Sequence, residues 1–86
     1  MTFGKAIEHL KTGNMVSRSG WNGKNMHIYL EDASDFKFGA GVFKGQTRHY
    51  EPYLVLVNAQ GNHQSGWNAS TPDVLADDWG LVPKGA

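Results

Sequence analysis

The sequence runs to 86 residues with eight Lys plus Arg, eight Asp plus Glu and no Cys, one domain (1–86) on the usual scale of ~100–200 residues per domain. A formal charge of zero argues against polymeric nucleic acid as a partner, because such binders carry a basic excess that displaces counterions. The missing Cys removes disulfides and thiolate metal sites. The longest apolar run, Tyr53–Val57, is far too short to cross a bilayer, so neither membrane insertion nor secretion is expected.

Phe3, Ala6, Ile7 and Leu10 recur at i, i+3, i+4 and i+7, the apolar stripe of an amphipathic helix. Thr2 can cap its start and Gly13 stands where a left-handed residue ends a helix, which predicts a helix over 3–12. Met15 to Arg18 alternates as a short strand, stopped by Gly20. Asn22-Gly23 is a strong short-range signal for a tight hairpin turn, with Met26 to Leu30 returning: Met26, Ile28 and Leu30 on one face, His27 and Tyr29 on the other. Residues 31–50 lack periodicity. Gly39, Gly41 and Gly45 among Phe36, Phe38 and Phe43 suggest a loop or an irregular edge hairpin. Tyr53–Val57 is the clearest strand, and both of its faces are apolar, so both should be covered. Asn58 to Gly61 reads as a turn and Gln64 to Trp67 as the next strand. Ser70-Thr71-Pro72-Asp73 combines a hydroxyl cap, an early Pro and an acid in the first turn, the start of a helix that can run to about Asp78. Trp79 to Val82 makes a last short strand. The elements describe an α+β domain, a small antiparallel β-sheet with two short helices.

Leu, Ile, Val and Phe total 18 residues, so the core is small, and a small chain without disulfides leans on a metal or a partner subunit. Self-association is expected. The first helix can cover one face of Tyr53–Val57, and a second subunit is the natural cover for the other. Charge is also unevenly divided: residues 1–50 carry +3 and 51–86 carry −3, which suits interleaved protomers or simple cancellation within one chain.

No catalytic constellation stands out. The Ser residues lack a nucleophile-elbow setting, and the four His at 9, 27, 49 and 63 show no helical metal-ligand spacing. Asp77 and Asp78 are adjacent and so point apart. No cofactor or metal is expected. Trp21, Trp67 and Trp79 each have polar neighbours, the mixture that base recognition uses: flat rings for stacking and amide or carboxylate groups for base edges. Arg18, Arg48 and the helix start at Ser70-Thr71 could hold phosphate. The same Trp residues could equally be core, and the Arg residues solvated. Chemistry alone therefore reads as a small-ligand or protein-binding module.

Phe3-Gly4-x-Ala6-Ile7-x-x-Leu10-Lys11-x-Gly13, then Val16-x-Arg18-x-Gly20-Trp21-Asn22-Gly23-Lys24, and at the close Trp67-x-x-Ser70-x-x-Asp73-x-Leu75-Ala76-x-Asp78-Trp79, with Pro52-Tyr53 between, resemble the second Thoeris anti-defence family from Phe3 to Val82. The resemblance implies a phage-encoded sponge. Such proteins are homotetramers that act in the host bacterial cytoplasm and sequester signalling cyclic nucleotides without cleaving them. Glycocyclic ADP-ribose is the usual ligand, and some members also hold cyclic dinucleotides of the CBASS type at a separate site. Pockets in that family lie between protomers. Carried onto this sequence, the candidate ligand residues are Arg18, Trp21, Asn22, Trp67, Ser70, Thr71 and Asp78. Trp21 would stack, Asn22 and Asp78 would read base edges, and Arg18 with Ser70-Thr71 would meet phosphate. Phe36 to His49 is where such proteins differ in length and composition, so no residue role is carried over there. A protein-binding module acting through an aromatic surface is the alternative, and a nucleotide-cleaving enzyme with the same pocket a third.

Overall fold

The computed structural model describes residues 1–84. Thr2 caps helix α1 (Phe3–Lys11), its hydroxyl accepting from the Lys5 amide at 3.3 Å. Gly13 then takes φ +89°, a conformation that costs Gly nothing sterically, and turns the chain into β1 (Met15–Arg18). The chain continues through β2 (His27–Glu31), β3 (Ser34–Lys37), β4 (Thr47–Tyr50), β5 (Tyr53–Val57), β6 (His63–Ser65), α2 (Thr71–Leu75) and β7 (Trp79–Val82). Five strands form an antiparallel sheet in the order β6-β5-β2-β1-β7, and β3 pairs with β4 as a separate ribbon. The α+β architecture with two short helices is the one the sequence pattern predicts.

Strand alternation sorts the residues onto two faces. Val16, Ile28, Leu54 and Leu56 face α1, which contributes Ala6 and Leu10, and Trp79 closes this core from β7. Leu10, Val16 and Ile28 are its largest fully buried side chains. On the opposite face the register aligns His27 with Val57 and Val57 with His63, and Tyr29 with Val55. Directly opposed residues share a face. The Tyr29 hydroxyl lies 2.8 Å from His63 Nδ1, and since β5 runs between β2 and β6, this contact arches over β5. Val55 and Val57 are thereby only 4% and 7% exposed. The second face of β5 is covered by the chain's own Tyr29–His63 bridge, so its burial does not require the partner subunit that the sequence suggested.

Three local departures have clear causes. No two-residue turn forms at Asn22-Gly23. A wide loop, 19–26, joins β1 to β2, and its left-handed residue is Asn25 at φ +63°, because Trp21 is drawn back into the core by its indole N–H. Strand β6 stops at Ser65 because the Gly66 and Trp67 amides both donate to the Leu54 carbonyl. Helix α2 stops at Leu75, short of Asp78, as Ala76 adopts an extended conformation that frees the Asp78 carbonyl to accept from the Ser19 amide.

Residues 31–50 resolve into the β3–β4 hairpin, whose strand residues are all exposed. A chain of ring contacts runs Phe43–Phe38–Phe36–Tyr50–Tyr53, with centroids 4.8–6.2 Å apart, and the Arg48 guanidinium sits over the Phe43 ring. Val42 (88% exposed) and Phe36 (51%) remain open to solvent.

Candidate functional site

The site is built around Asp73, which the capping of α2 places beneath the 19–26 loop. Ser70 and Asp73 form a reciprocal capping box: the Ser70 hydroxyl accepts from the Asp73 amide at 3.2 Å, and Asp73 Oδ2 accepts from the Ser70 amide at 3.0 Å. Asp73 Oδ1 accepts from Arg18 Nη1 at 2.7 Å and from the Trp21 indole at 3.1 Å. Its carbonyl accepts from the Trp79 indole at 2.9 Å. Burial by itself would push this carboxyl up, but the Arg18 guanidinium, the Ser70 amide and the Trp21 indole together hold it down at about 2.

Asp78 takes the other side of Arg18. Its Oδ1 accepts from Arg18 Nε at 2.8 Å, and its Oδ2 accepts from the Gly20 amide at 2.8 Å. The Arg18 guanidinium keeps the Asp78 carboxyl below its ordinary value, and the two carboxylates, Asp78 first, raise the Arg18 guanidinium in turn. A Cβ at residue 20 would lie 2.9 Å from Asp78 Oδ2 and 3.3 Å from Arg18 Nη2, so it would force the Asp78 carboxylate to shift. Trp21, Trp67 and Trp79 meet edge to face, with centroids 5.3–6.3 Å apart, a geometry that contributes beyond area burial. The loop is therefore fixed at its base by charge-assisted bonds and by indole packing.

On the opposite face, the anchored loop and the 58–62 turn rise on either side of a cleft of about 950 Å³, at the upper end of the ~300–1,000 Å³ usual for ligand sites. Its floor includes His27, Val57 and His63 from three adjacent strands. Trp21, Asn22, Lys24 and Asn25 line it from the loop, and Asn58 and Gln60 from the turn. Asn58 holds the turn closed, its side-chain oxygen accepting from the Gln60 and Asn62 amides at 3.1 and 2.9 Å. Among the described residues, none of the chain's eight Asp and Glu lines the cleft. Lys24 has no carboxylate partner among them. The cleft offers cations, N–H donors and amides, which is the chemistry of an anion receptor.

The sequence candidates divide between these two features. Arg18, Trp21 and Asn22 line the cleft, whereas Trp67, Ser70, Thr71 and Asp78 do not. The Arg18 guanidinium is already held by two carboxylates. The α2 start, at Ser70-Thr71, is occupied by the Asp73 carboxylate. Asp78 is bonded to Arg18, the Gly20 amide and the Ser19 hydroxyl. Asn22 is exposed and unencumbered.

Sequence reasoning missed Asp73 as the hub, although Ser70-x-x-Asp73 carries the spacing of a capping box. It also missed Lys24, His27 and His63. The period-two pattern of β2 put His27 away from the core, but only the β2–β5–β6 register brings it to the same face as His63. The described residues contain no group of three His, Cys, Asp or Glu placed to hold a metal ion, and no helix among them is long and apolar enough to cross a membrane.

Two comparisons with known proteins bear on this geometry. The family model described as the Thoeris anti-defense 2-like domain matches residues 1–82. A curated protein of Bacillus phage SP01, "Thoeris anti-defense 2", is 42% identical over 86 aligned residues, which cover 95% of this chain and 94% of that protein.

Proposed function

Because the chain belongs to the Thoeris anti-defense 2-like family, we propose that it serves a phage as an anti-defence sponge, capturing cyclic-nucleotide immune signals in the host cytoplasm without cleaving them. The observation that carries this reading is the cleft of about 950 Å³, lined by no Asp or Glu among the described residues, with Trp21 and Asn22 on its wall and Lys24, His27 and His63 beside them. A cyclic nucleotide is anionic, carries bases that stack, and presents base edges that amides read. Sequestration asks only for affinity. A nanomolar complex draws on ~12 kcal/mol, which stacking at ~1–3 kcal/mol per base and charge-assisted hydrogen bonds at ~1.5–3 kcal/mol each can supply.

The ligand of first choice is glycocyclic ADP-ribose, with CBASS-type cyclic dinucleotides as the second class. Assembly is as a homotetramer. The apolar surface left open on the β3–β4 hairpin and on α2, where Leu75 is 74% exposed, supports self-association. Trp67, Ser70 and Thr71 lie outside the cleft of their own chain and reach a ligand only from a neighbouring protomer, which a pocket shared between subunits would provide.

Isothermal titration against glycocyclic ADP-ribose and a panel of cyclic di- and trinucleotides tests this reading, followed by heat denaturation and chromatography of the ligand. Tight binding with intact ligand recovered is the expected result. Asn22→Ala, at an exposed position, should weaken capture about tenfold, the loss of a hydrogen bond to a charged or strongly polar partner, while leaving the melting temperature unchanged. Silence across the panel would favour a protein-binding module, and an altered ligand would make the protein an enzyme.

A further inference from the structure

His27 and His63 are the two imidazoles of the cleft, and their Nδ1 atoms are both engaged. His27 Nδ1 lies 2.8 Å from the Asn25 carbonyl oxygen. A carbonyl can only accept, so Nδ1 carries the hydrogen and the neutral ring presents Nε2 as a lone pair. His63 Nδ1 lies 2.8 Å from the Tyr29 hydroxyl. A phenol is the stronger donor of that pair and an imidazole nitrogen the stronger acceptor, so Tyr29 donates and the hydrogen of His63 sits on Nε2. Burial, which raises the Tyr29 phenol above its ordinary value, agrees with a hydroxyl that keeps its proton. The two rings therefore hold opposite tautomers, with an acceptor at His27 Nε2 and a donor at His63 Nε2. They flank Val57 across one strand, with Cα atoms ~10 Å apart at ~4.8 Å per strand.

We propose that His27 and His63 form a sugar-phosphate reader, in which His63 Nε2–H donates to a phosphoryl oxygen and His27 Nε2 accepts from the ribose 2-hydroxyl of the same nucleotide. Donor and acceptor on opposite sides of Val57 match a ribose 5-phosphate unit, whose anionic end accepts and whose hydroxyl end donates. Lys24 supplies charge to the phosphoryl group without orienting it, as expected of a flexible point charge. Arg18 is excluded from this task by its two carboxylate partners and acts as a positioning residue for the loop. The reader rests on the cyclic-nucleotide reading, and it adds a preference for ribose over deoxyribose.

The test is side-chain nitrogen NMR of the uniformly labelled protein, titrated with ribose 5-phosphate, 2-deoxyribose 5-phosphate and inorganic phosphate. The free protein should show the Nδ1–H tautomer at His27 and the Nε2–H tautomer at His63. Ribose 5-phosphate should move Nε2 of both, leaving His9 and His49 unmoved, and inorganic phosphate should move His63 alone. The deoxy sugar should bind about fivefold more weakly, the loss of one neutral hydrogen bond. His63→Gln, whose amide can keep an N–H near Nε2, should retain more affinity than His63→Ala, and His49→Gln should change nothing. Identical tautomers at His27 and His63, equal affinity for the two sugars, or shifts spread over all four imidazoles would each overturn the reader. The sponge reading fails separately: ribose 5-phosphate engaging both rings while glycocyclic ADP-ribose does not bind would remove the sponge and leave the reader. Tight capture of the cyclic nucleotide undisturbed by His27→Ala and His63→Ala would remove the reader and leave the sponge.

Discussion

Asp73→Asn is the sharpest test of how the loop beneath the cleft is held. The substitution keeps the shape of a buried side chain and removes its charge. Both carboxylate oxygens are acceptors in use, Oδ1 for Arg18 and Trp21 and Oδ2 for the Ser70 amide. An amide has one acceptor oxygen, so in either orientation its NH2 group faces a donor. Lowering the carboxyl from 3.8 to about 2 corresponds at ~1.4 kcal/mol per pH unit to ~2.4 kcal/mol, which solvent near Arg18 and Asp78 reduces to ~1–2 kcal/mol. The opposed donor adds ~1–3 kcal/mol. The variant should therefore lose ~2–5 kcal/mol of the ~4–13 kcal/mol expected for a chain of this length, a fall in Tm of ~10 °C or more. The pH sign is fixed by the depressed value: the carboxylate's contribution is fully present above about pH 4 and is lost as pH falls towards about 2. Thermal unfolding at one protein concentration should thus show a large gap between the proteins at pH 7 that narrows between pH 4 and pH 2. A variant melting within ~2 °C of the parent at pH 7, or a gap that stays constant down to pH 2, would refute the reasoning.

Gly20→Ala should push Asp78 off the Gly20 amide, because the new Cβ would sit 2.9 Å from the carboxylate oxygen. The expected signs are a Tm lower by ~5 °C and faster hydrogen exchange at residue 20, with exchange across α1 unchanged at equal stability. Ile28→Ala empties a fully buried position on β2, beneath α1, and should cost ~2–5 kcal/mol, read by circular dichroism as a fall in Tm of ~10 °C or more.

The α1 stripe, β1 and β5 were legible because their signals are local: helical spacing at Phe3, Ala6, Ile7 and Leu10, a Thr cap, alternation at Met15–Arg18 and the apolar run Tyr53–Val57. The loop at 19–26 was misjudged because Asn22-Gly23 competes with Trp21, and an indole that finds both aromatic packing and the Asp73 carboxylate outweighs a turn preference. The hairpin at 31–50 has no buried face, so it leaves no period-two pattern to detect. Trp21 and Arg18 were recognisable as unusual, but their partners lie more than fifty residues away, beyond any spacing rule. His63 is exposed beside the 58–62 turn, and only strand pairing reveals that it shares a face with His27.

A net charge of zero concealed how the charges are sorted. Asp73 and Asp78 sit behind the loop, consumed by Arg18 and by backbone and indole N–H groups, while no Asp or Glu among the described residues lines the cleft in front. If that separation produces anion capture, restoring one carboxylate to the cleft should weaken it. Asn58→Asp is suited to this, because the Asn58 oxygen already accepts from the Gln60 and Asn62 amides and an aspartate accepts the same bonds. The fold should be unharmed, with Tm within ~2 °C of the parent. A carboxylate ~7 Å from a phosphoryl group at an effective dielectric of ~20 costs ~2.4 kcal/mol, so capture of glycocyclic ADP-ribose should weaken about fiftyfold at low salt. Added salt should narrow the difference, since the new charge lies at a solvent-open rim where ions screen it. Unchanged affinity in a normally folded Asn58→Asp protein would mean that the ligand's phosphates lie outside this cleft. A loss insensitive to salt would point to a steric cause and not to the charge.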